Sequence, residues 1–424
     1  MKVTELVSFI KEGKLNNSLT YLYGKEAVEQ QQLRYIEILN KAMNLYGDKD
    51  VQLFSAPGRT EVGGNHTDHQ LGRVLAASIN LDIVAAVFPS TSSTVRYASA
   101  GFNVPPVDLS ELEIKKDEIN SSAALIRGVA AGLKSRGYHI GGFECYAESD
   151  VLGGGGMSSS AAFETLLGTV ISHLYNDGNV TPEEIAKVGQ YAENVYFGKA
   201  SGLLDQMACS VGSFAYIDFA DKENPDVEKI SFSPDEYGYD LILTDVKASH
   251  ADLSDEYSLV PQEMLKAASV MGHQYLSEAT EQEVIDHVEA IREKCGDRAF
   301  LRAYHFIKET QRAKDEADAL KAKDINQFLE LVRESGQSSW MYLQNISVTG
   351  DPEHQAVAVA LAMSDSIIGK NGAYRVHGGG FAGTIQAFVK KETSSHYIET
   401  MEKAFGRGCC FILRIRNVGG IRLA

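Results

Sequence analysis

Leu152-Gly-Gly-Gly-Gly-Met-Ser-Ser-Ser-Ala-Ala-Phe-Glu164 is the stretch from which the fold is read. Gly153, Gly154, Gly155 and Gly156 weaken helix and strand interiors alike, so they belong to a connection. A strand-like run, Gly142 to Ser149, precedes them. A helix-like run, Ser158 to Leu174, follows, with Ala162, Leu166, Leu167, Val170 and Ile171 at three- and four-residue spacing. Strand, glycine loop and helix start together aim several backbone N–H groups at the positive end of a helix, which suits a phosphate. Ser158, Ser159 and Ser160, between Met157 and Ala161, add hydroxyls for phosphate oxygens or a magnesium ion. A flexible linker ending in a serine N-cap is the plainer reading of the same residues. The chain contains no G-x-x-x-x-G-K-[ST], so this is not a Walker loop. The Gly153-x-Gly155-x-x-Ser158 fit to a dinucleotide fingerprint fails at its third position, which is serine.

A chain of 424 residues is too long for one ordinary core and suggests two domains. Its 44% hydrophobic and 23% charged content is that of a soluble globular enzyme. A net charge of −17 argues against a nucleic-acid partner, which needs a basic footprint. The five cysteines are scattered without metal-ligand spacing, and Cys409-Cys410 reads as part of a buried strand. With no signal peptide or long apolar span in view, the expectation is a cytoplasmic protein without membrane contact, either monomer or homodimer.

Ahead of the glycine loop, residues 1–50 read as helices, the strongest from Glu26 to Tyr46. Val51 to Ser55 reads as a strand that stops at Ala56-Pro57-Gly58. Arg59, Glu61, Asn65, His66, Asp68 and His69 then crowd a polar loop before the apolar run Arg73 to Phe88, one or two buried strands. His66, Asp68 and His69 lack the usual spacing of a metal triad. Their mixed donors and acceptors suit a polyhydroxylated ligand better. After the loop, Thr181-Pro182-Glu183-Glu184 starts a helix carrying Glu193. Gly202-Leu-Leu-Asp205-Gln206 brackets an acid with glycine and apolar residues. Ala220 to Pro234 is the best domain boundary, and Ser258 to Leu343 is mostly helical. Gly378, Gly379 and Gly380 form a second glycine cluster between strand-like runs.

Taken in order, these motifs resemble the galactokinase family of the GHMP sugar and metabolite kinases. The resemblance rests on Ala56-Pro-Gly-Arg59 through His66-Thr-Asp68 to Gly72-Arg-Val-Leu75, on Gly154-x-Gly156-Met-Ser-Ser-Ser-Ala-Ala162, on Gly202 to Gln206, and on Gly378-Gly-Gly-Phe-Ala-Gly383. It implies an α+β, two-domain GHMP kinase fold. The N-terminal domain (1–222) would be ribosomal-protein-S5-domain-2-like and the C-terminal one (223–408) ferredoxin-like, with strands in 409–424 returning to the first. It implies an ATP- and Mg2+-dependent sugar-1-kinase. Asp205 and Arg59 would be catalytic, and Gly153 to Ala161 would bind phosphate. Ser159 or Ser160 would hold the metal with Glu193, and Glu61, Asn65, His66, Asp68, Gly202 and Tyr257 would bind the sugar. Residues 89–94 are the expected adenine pocket.

The first motif departs from the family pattern, with Glu61 in place of Asn, Gly63 of Ile, Asn65 of Glu and His69 of Tyr. In the family the Glu replaced by Asn65 contacts the 6-hydroxyl, so losing it would relieve repulsion against a C6 acid. Asp68-His-Gln70 also resembles galacturonokinases. Galactose is therefore the first substrate expected, galacturonate the second. A non-catalytic sugar sensor on the same fold is a third reading, disfavoured by the intact Ser158-Ser-Ser-Ala-Ala162.

Overall fold

The computed structural model describes residues 1–100, 102–151, 156–199, 201–222, 224–248 and 253–424. Gly153, Gly154 and Gly155 lie outside the described residues, so the phosphate loop is seen only from Gly156 onward.

Thirteen strands are present among the described residues: β1 (Gln52–Gly63), β2 (Arg73–Pro89), β3 (Thr94–Ser99), β4 (Phe102–Asn103), β5 (Val107–Asp108), β6 (Phe143–Ser149), β7 (Phe214–Asp218), β8 (Asp226–Ile230), β9 (Tyr239–Asp245), β10 (Ala373–Val376), β11 (Thr384–Lys390), β12 (Cys410–Leu413) and β13 (Ile421–Arg422). Nine of them make one sheet, with the path β13-β1-β2-β6-β3-β4, β5 on β3, β7 on β2, and β8 on β7. Four make an antiparallel second sheet in the order β10-β11-β9-β12. β8 therefore carries the first sheet past the boundary expected at 222, and Cys410–Leu413 joins the second sheet. Of the residues after 409, Ile421–Arg422 pairs with β1.

The apolar run 73–88 forms one long strand because both its faces are covered. Val84, Ala86 and Phe88 pack with the N-terminal helices Val3–Lys11, Asn16–Tyr23 and Val28–Tyr46. Ile83, Ala85 and Val87 pack on the opposite side, in the core that includes helices Ser122–Ser135 and Ser159–Tyr175. Alternation along the strand gives each helical layer every second side chain.

β1 corrects the sequence reading most sharply. Pro57-Gly58 does not end it; the strand runs on to Gly63. The register against β2 slips between Pro57 and Arg59, from Asp82 to Ser78. Such a bulge absorbs a residue that cannot donate a ladder hydrogen bond and turns the strand beyond it. Arg59 and Glu61 thus sit on a strand, and the polar loop shrinks to Gly64–Gly72, with a short 3-10 turn at Asp68–Gln70.

The second sheet carries helices Ala356–Ile368 and Lys391–Phe405 on its apolar face, around Ile242, Ile385 and Tyr397. A helical block from 254 to 343 packs beside it around Val260, Met264 and Phe306. Among the described residues, no helix is long and apolar enough to cross a membrane.

Candidate active site

Helix 159–175 points its N-terminus at the bulged part of β1. Gly156 and Ser158 both take positive φ, +70° and +55°, the second costly for a residue with a side chain. Three contacts hold the turn there. The Arg59 backbone N–H donates to the Met157 carbonyl at 3.2 Å, the Arg59 Nη1 donates to the Gly156 carbonyl, and the Ser158 hydroxyl donates to Asp205 Oδ2.

Asp205 lies in the first turn of helix Leu204–Val211. Its Oδ1 accepts from Arg59 Nε at 2.8 Å and lies 2.7 Å from Arg59 Nη2. Burial alone would push this carboxyl up. The Arg59 charge and the Ser158 hydroxyl, with Lys199 nearby, outweigh burial and hold it below the ordinary aspartate range. Asp205 is therefore ionised, and its side chain is 32% exposed toward a cavity.

Glu193 sits in a π-helical turn, Ala192–Phe197, that continues helix Pro182–Tyr191. Its Oε1 accepts from Ser160 Oγ at 2.9 Å and Lys199 Nζ at 2.8 Å, and its Oε2 from Gln206 Nε2 at 2.9 Å. Two of the three serines thus divide the work: Ser158 turns to Asp205 and Ser160 to Glu193, so the bonded pair contains Ser160 rather than Ser159. A hydroxyl and a carboxylate oxygen at a helix start are hard donors that fit magnesium. Among the described residues no cluster of three His, Cys, Asp or Glu side chains forms a metal cage, His66-Asp68-His69 included. Magnesium characteristically relies instead on one or two protein oxygens completed by phosphates and water.

The cavity encloses about 710 Å3 where the two sheets meet. Arg59, Glu61, Asp205, Gly202 and Gly156 line one side. His66, Asp68 and His69 line the polar-loop side, and Tyr257, His377 and Gly378–Gly380 the opposite wall. Glycines make the close approaches possible. A Cβ on Gly202 would lie 2.1 Å from Asp68 Oδ2, and one on Gly379 would lie 2.4 Å from the Tyr257 ring. The Tyr257 hydroxyl donates to the Gly380 carbonyl at 3.0 Å, binding the helical block to the second glycine cluster. His66 lies 3.0 Å from the Gly379 carbonyl through Nε2, which assigns the proton to Nε2 and leaves Nδ1 as an acceptor. Burial, then the neighbouring His69, lowers its pKa to about 4, so the ring is neutral.

One expected substrate residue is placed elsewhere. Asn65 is fully buried behind the cavity wall. Its Nδ2 donates to Glu61 Oε1 at 2.7 Å and to the Gly378 carbonyl at 2.9 Å. Its Oδ1 accepts from Asn345 and Ser339 at 2.9 and 3.2 Å. All four of its hydrogen-bonding positions are spent on protein. The expected adenine pocket is also displaced. Gly142 donates to the Ser92 carbonyl where β6 begins, whereas the glycine loop leaves the other end of that strand, about 20 Å away. Residues 89–94 are thus too far from the loop to hold the base of a nucleotide whose phosphates bind there.

Sequence reading missed Lys199 and His377. Lys199 carries no motif and is recognised only through its contact with Glu193. His377 was passed over beside the glycines. Its ring lies 2.9 Å from Thr384 Oγ1 through Nδ1, and its Nε2 accepts from the Glu61 N–H at 3.3 Å, fixing β1 to the second sheet.

Known proteins share this architecture. The GHMP kinases N terminal domain matches residues 122–213, and the Galactokinase galactose-binding signature matches residues 43–89. The structure of Methanococcus jannaschii mevalonate kinase superposes with a TM-score of 0.61 over 86% of this chain and 98% of its own, at 15% identity, a likeness of fold. Fold and motif order together make this chain a GHMP kinase. Lactococcus lactis galactokinase, solved in complex with galactose, superposes with a TM-score of 0.77 over 90% of this chain and 98% of its own, at 25% identity. Galactokinases of Lactobacillus helveticus and Actinobacillus pleuropneumoniae are 27% and 29% identical, over 87% and 83% of this chain and 93% and 88% of theirs. Within the GHMP kinases, the chain belongs to the galactokinase family.

Proposed function

We propose that this protein transfers the γ-phosphoryl group of ATP to the anomeric hydroxyl of galactose. The observation that carries the reading is Asp205: an ionised carboxylate held by Arg59 and Ser158 at the start of helix 159–175, open to a cavity walled by His66, Asp68 and Tyr257. Phosphoryl transfer asks for in-line positioning and charge neutralisation more than for covalent help.

The helix start and the glycine turn bind the phosphates. Asp205 accepts a hydrogen bond from the anomeric hydroxyl and points its oxygen at the γ-phosphorus. That oxygen forms the new P–O bond, the bond to the β–γ bridging oxygen breaks, and ADP leaves. A carboxyl held this low is a better orienter than proton acceptor, so the hydroxyl proton leaves late, after the new P–O bond has formed, to a phosphoryl oxygen or to solvent. Arg59 keeps Asp205 ionised and adds positive charge beside the transferring group. Ser160 and Glu193 would hold magnesium, which would supply charge neutralisation for the transferring phosphoryl group. His66 Nδ1 and Asp68 accept from sugar hydroxyls. The base of ATP lies toward Ala98 and Ser99, which run parallel to the end of β6 nearest the loop. An ATP-consuming enzyme of this kind works in the cytoplasm.

ADP release by purified protein with magnesium, ATP and galactose tests the reading. Turnover lost in Asp205→Ala is expected. Silence with every neutral hexose while ATP still binds would leave a sugar sensor instead.

A further inference from the structure

β1 passes the reacting end of the cavity at Arg59 and reaches Glu61 two residues later. Arg59, Thr60 and Glu61 pair in unbroken register with Ser78, Ala77 and Ala76. Arg59 and Glu61 are therefore about 7 Å apart along the strand, roughly the width of one pyranose ring. Both line the cavity. With the anomeric hydroxyl at Asp205 and the C5–C6 arm of the sugar turned along β1, the C6 group reaches Glu61.

Burial raises the Glu61 carboxyl above the ordinary glutamate range against the pull of Arg375, Arg59 and Asn65, and the group is only half spent. Its Oε1 accepts from Asn65 at 2.7 Å and from Arg375 at 3.3 Å, both behind the wall, which leaves Oε2 toward the cavity. Arg375 is fully buried, and its Nη1 is given to the Val62 carbonyl.

The cations that line the cavity are committed at the other end. Arg59 is bound to Asp205 and Gly156, and Lys199 to Glu193. On the polar-loop side His66 is neutral, and His69 lies 3.7 Å from Asp68. Among the described lining residues, none offers an uncommitted guanidinium or ammonium to a negatively charged group facing Glu61.

We infer that Glu61 selects the sugar by charge: its Oε2 accepts the C6 hydroxyl of a neutral hexose and repels a C6 carboxylate. The inference rests on the proposed sugar-1-kinase activity and names its substrate class. The carboxylate lost at Asn65 has not been deleted from the chain. It stands four residues earlier, hydrogen-bonded to the asparagine that replaced it, and faces the cavity from β1. Uronic acids, which the substitution at 65 alone would admit, are excluded.

Initial rates with galactose, galacturonate and 6-deoxygalactose, for wild type and Glu61→Gln, test this. Wild type is expected to phosphorylate galactose, to use 6-deoxygalactose at least tenfold less well, and to be uninhibited by galacturonate at concentrations where galactose saturates. Glu61→Gln should raise the kcat/KM ratio of galacturonate to galactose by about 100-fold, as removal of a like charge at contact distance implies. The inhibition measurement needs only wild type, so a poorly folding variant does not decide the matter. Competition by galacturonate against wild type, or an unmoved ratio in the variant, overturns the inference while leaving the galactokinase reading intact. Silence of wild type with galactose removes both.

Discussion

Arg59–Asp205 and Arg416–Asp82 are two arginine–aspartate pairs of similar make, buried in the same sheet region. In both, burial pushes the carboxyl up and the arginines bring it down further, so each aspartate stays ionised. They differ in what remains to be satisfied. Asp82 is fully buried, accepting from Arg34 on Oδ1 and from Arg416, Ser55 and Tyr23 on Oδ2. It ties two N-terminal helices, β1, β2 and the segment before β13 into one knot. Asp205 keeps an edge open to the cavity and has Arg59 and Ser158 as its partners. Charge and pairing with arginine alone would rank the two alike; only access to a ligand separates a site from a staple.

Two substitutions would break that contrast if they failed. Asp205→Ala should lower kcat by roughly 10²–10⁴-fold with little change in melting temperature, as measured by ADP release and circular dichroism. Asp82→Ala should do the reverse. It leaves buried Arg416 without a carboxylate and Arg34 with only Asp150, so denaturant titration should show a loss of about 3–5 kcal/mol while kcat/KM of the folded fraction stays near wild type. If Asp82→Ala cut kcat without costing stability, the staple reading would be wrong.

Acid sharpens the comparison. His66, His305 and His377 are neutral in the fold because burial lowers their pKa values. The unfolded chain protonates near 6.5 and the folded His66 only near 4, so its stabilising contribution is complete above 6.5 and is lost as pH falls toward 4. A loss of about 1–2 kcal/mol is expected from His66, allowing for its partial exposure. His66→Gln should flatten the pH dependence of unfolding over that window. The depressed Asp82 carboxyl acts lower, its contribution being present above the ordinary aspartate range and lost only as pH drops beneath it. The smallest effect belongs to Glu193→Gln, which should raise the magnesium needed for half-maximal rate about tenfold and weaken Mn2+ binding in the presence of ADP, seen by electron paramagnetic resonance.

Much of the site was legible because its motifs are local. The glycine–serine turn announces helix 159–175 within a few residues, and the spacing of Glu193 and Asp205 survives because the π-turn and the next helix bring both to the same serines. What stayed hidden is tertiary. Pro57-Gly58 reads as a strand end because the sequence does not show a partner strand able to bulge opposite it. Asn65 and Glu61 read as neighbours in one loop, although the turn after β1 sends one into the wall and leaves the other on the cavity. Cys410–Leu413 looked bound for the first sheet with β13, yet its apolar side chains fit beside β9.

The staple at Asp82 also sets a timetable. Ser55, on β1, accepts no closing bond from Arg416 until a segment 361 residues further on has been made. At ordinary rates of synthesis that takes about 20–70 s. For that interval the outer edge of β1, later covered by β13, is an unpaired strand edge on the ribosome, open to any other chain that offers a strand. Arg59 and Glu61 lie further along the same strand, so the stretch of chain that waits longest for its edge partner also carries residues of the site.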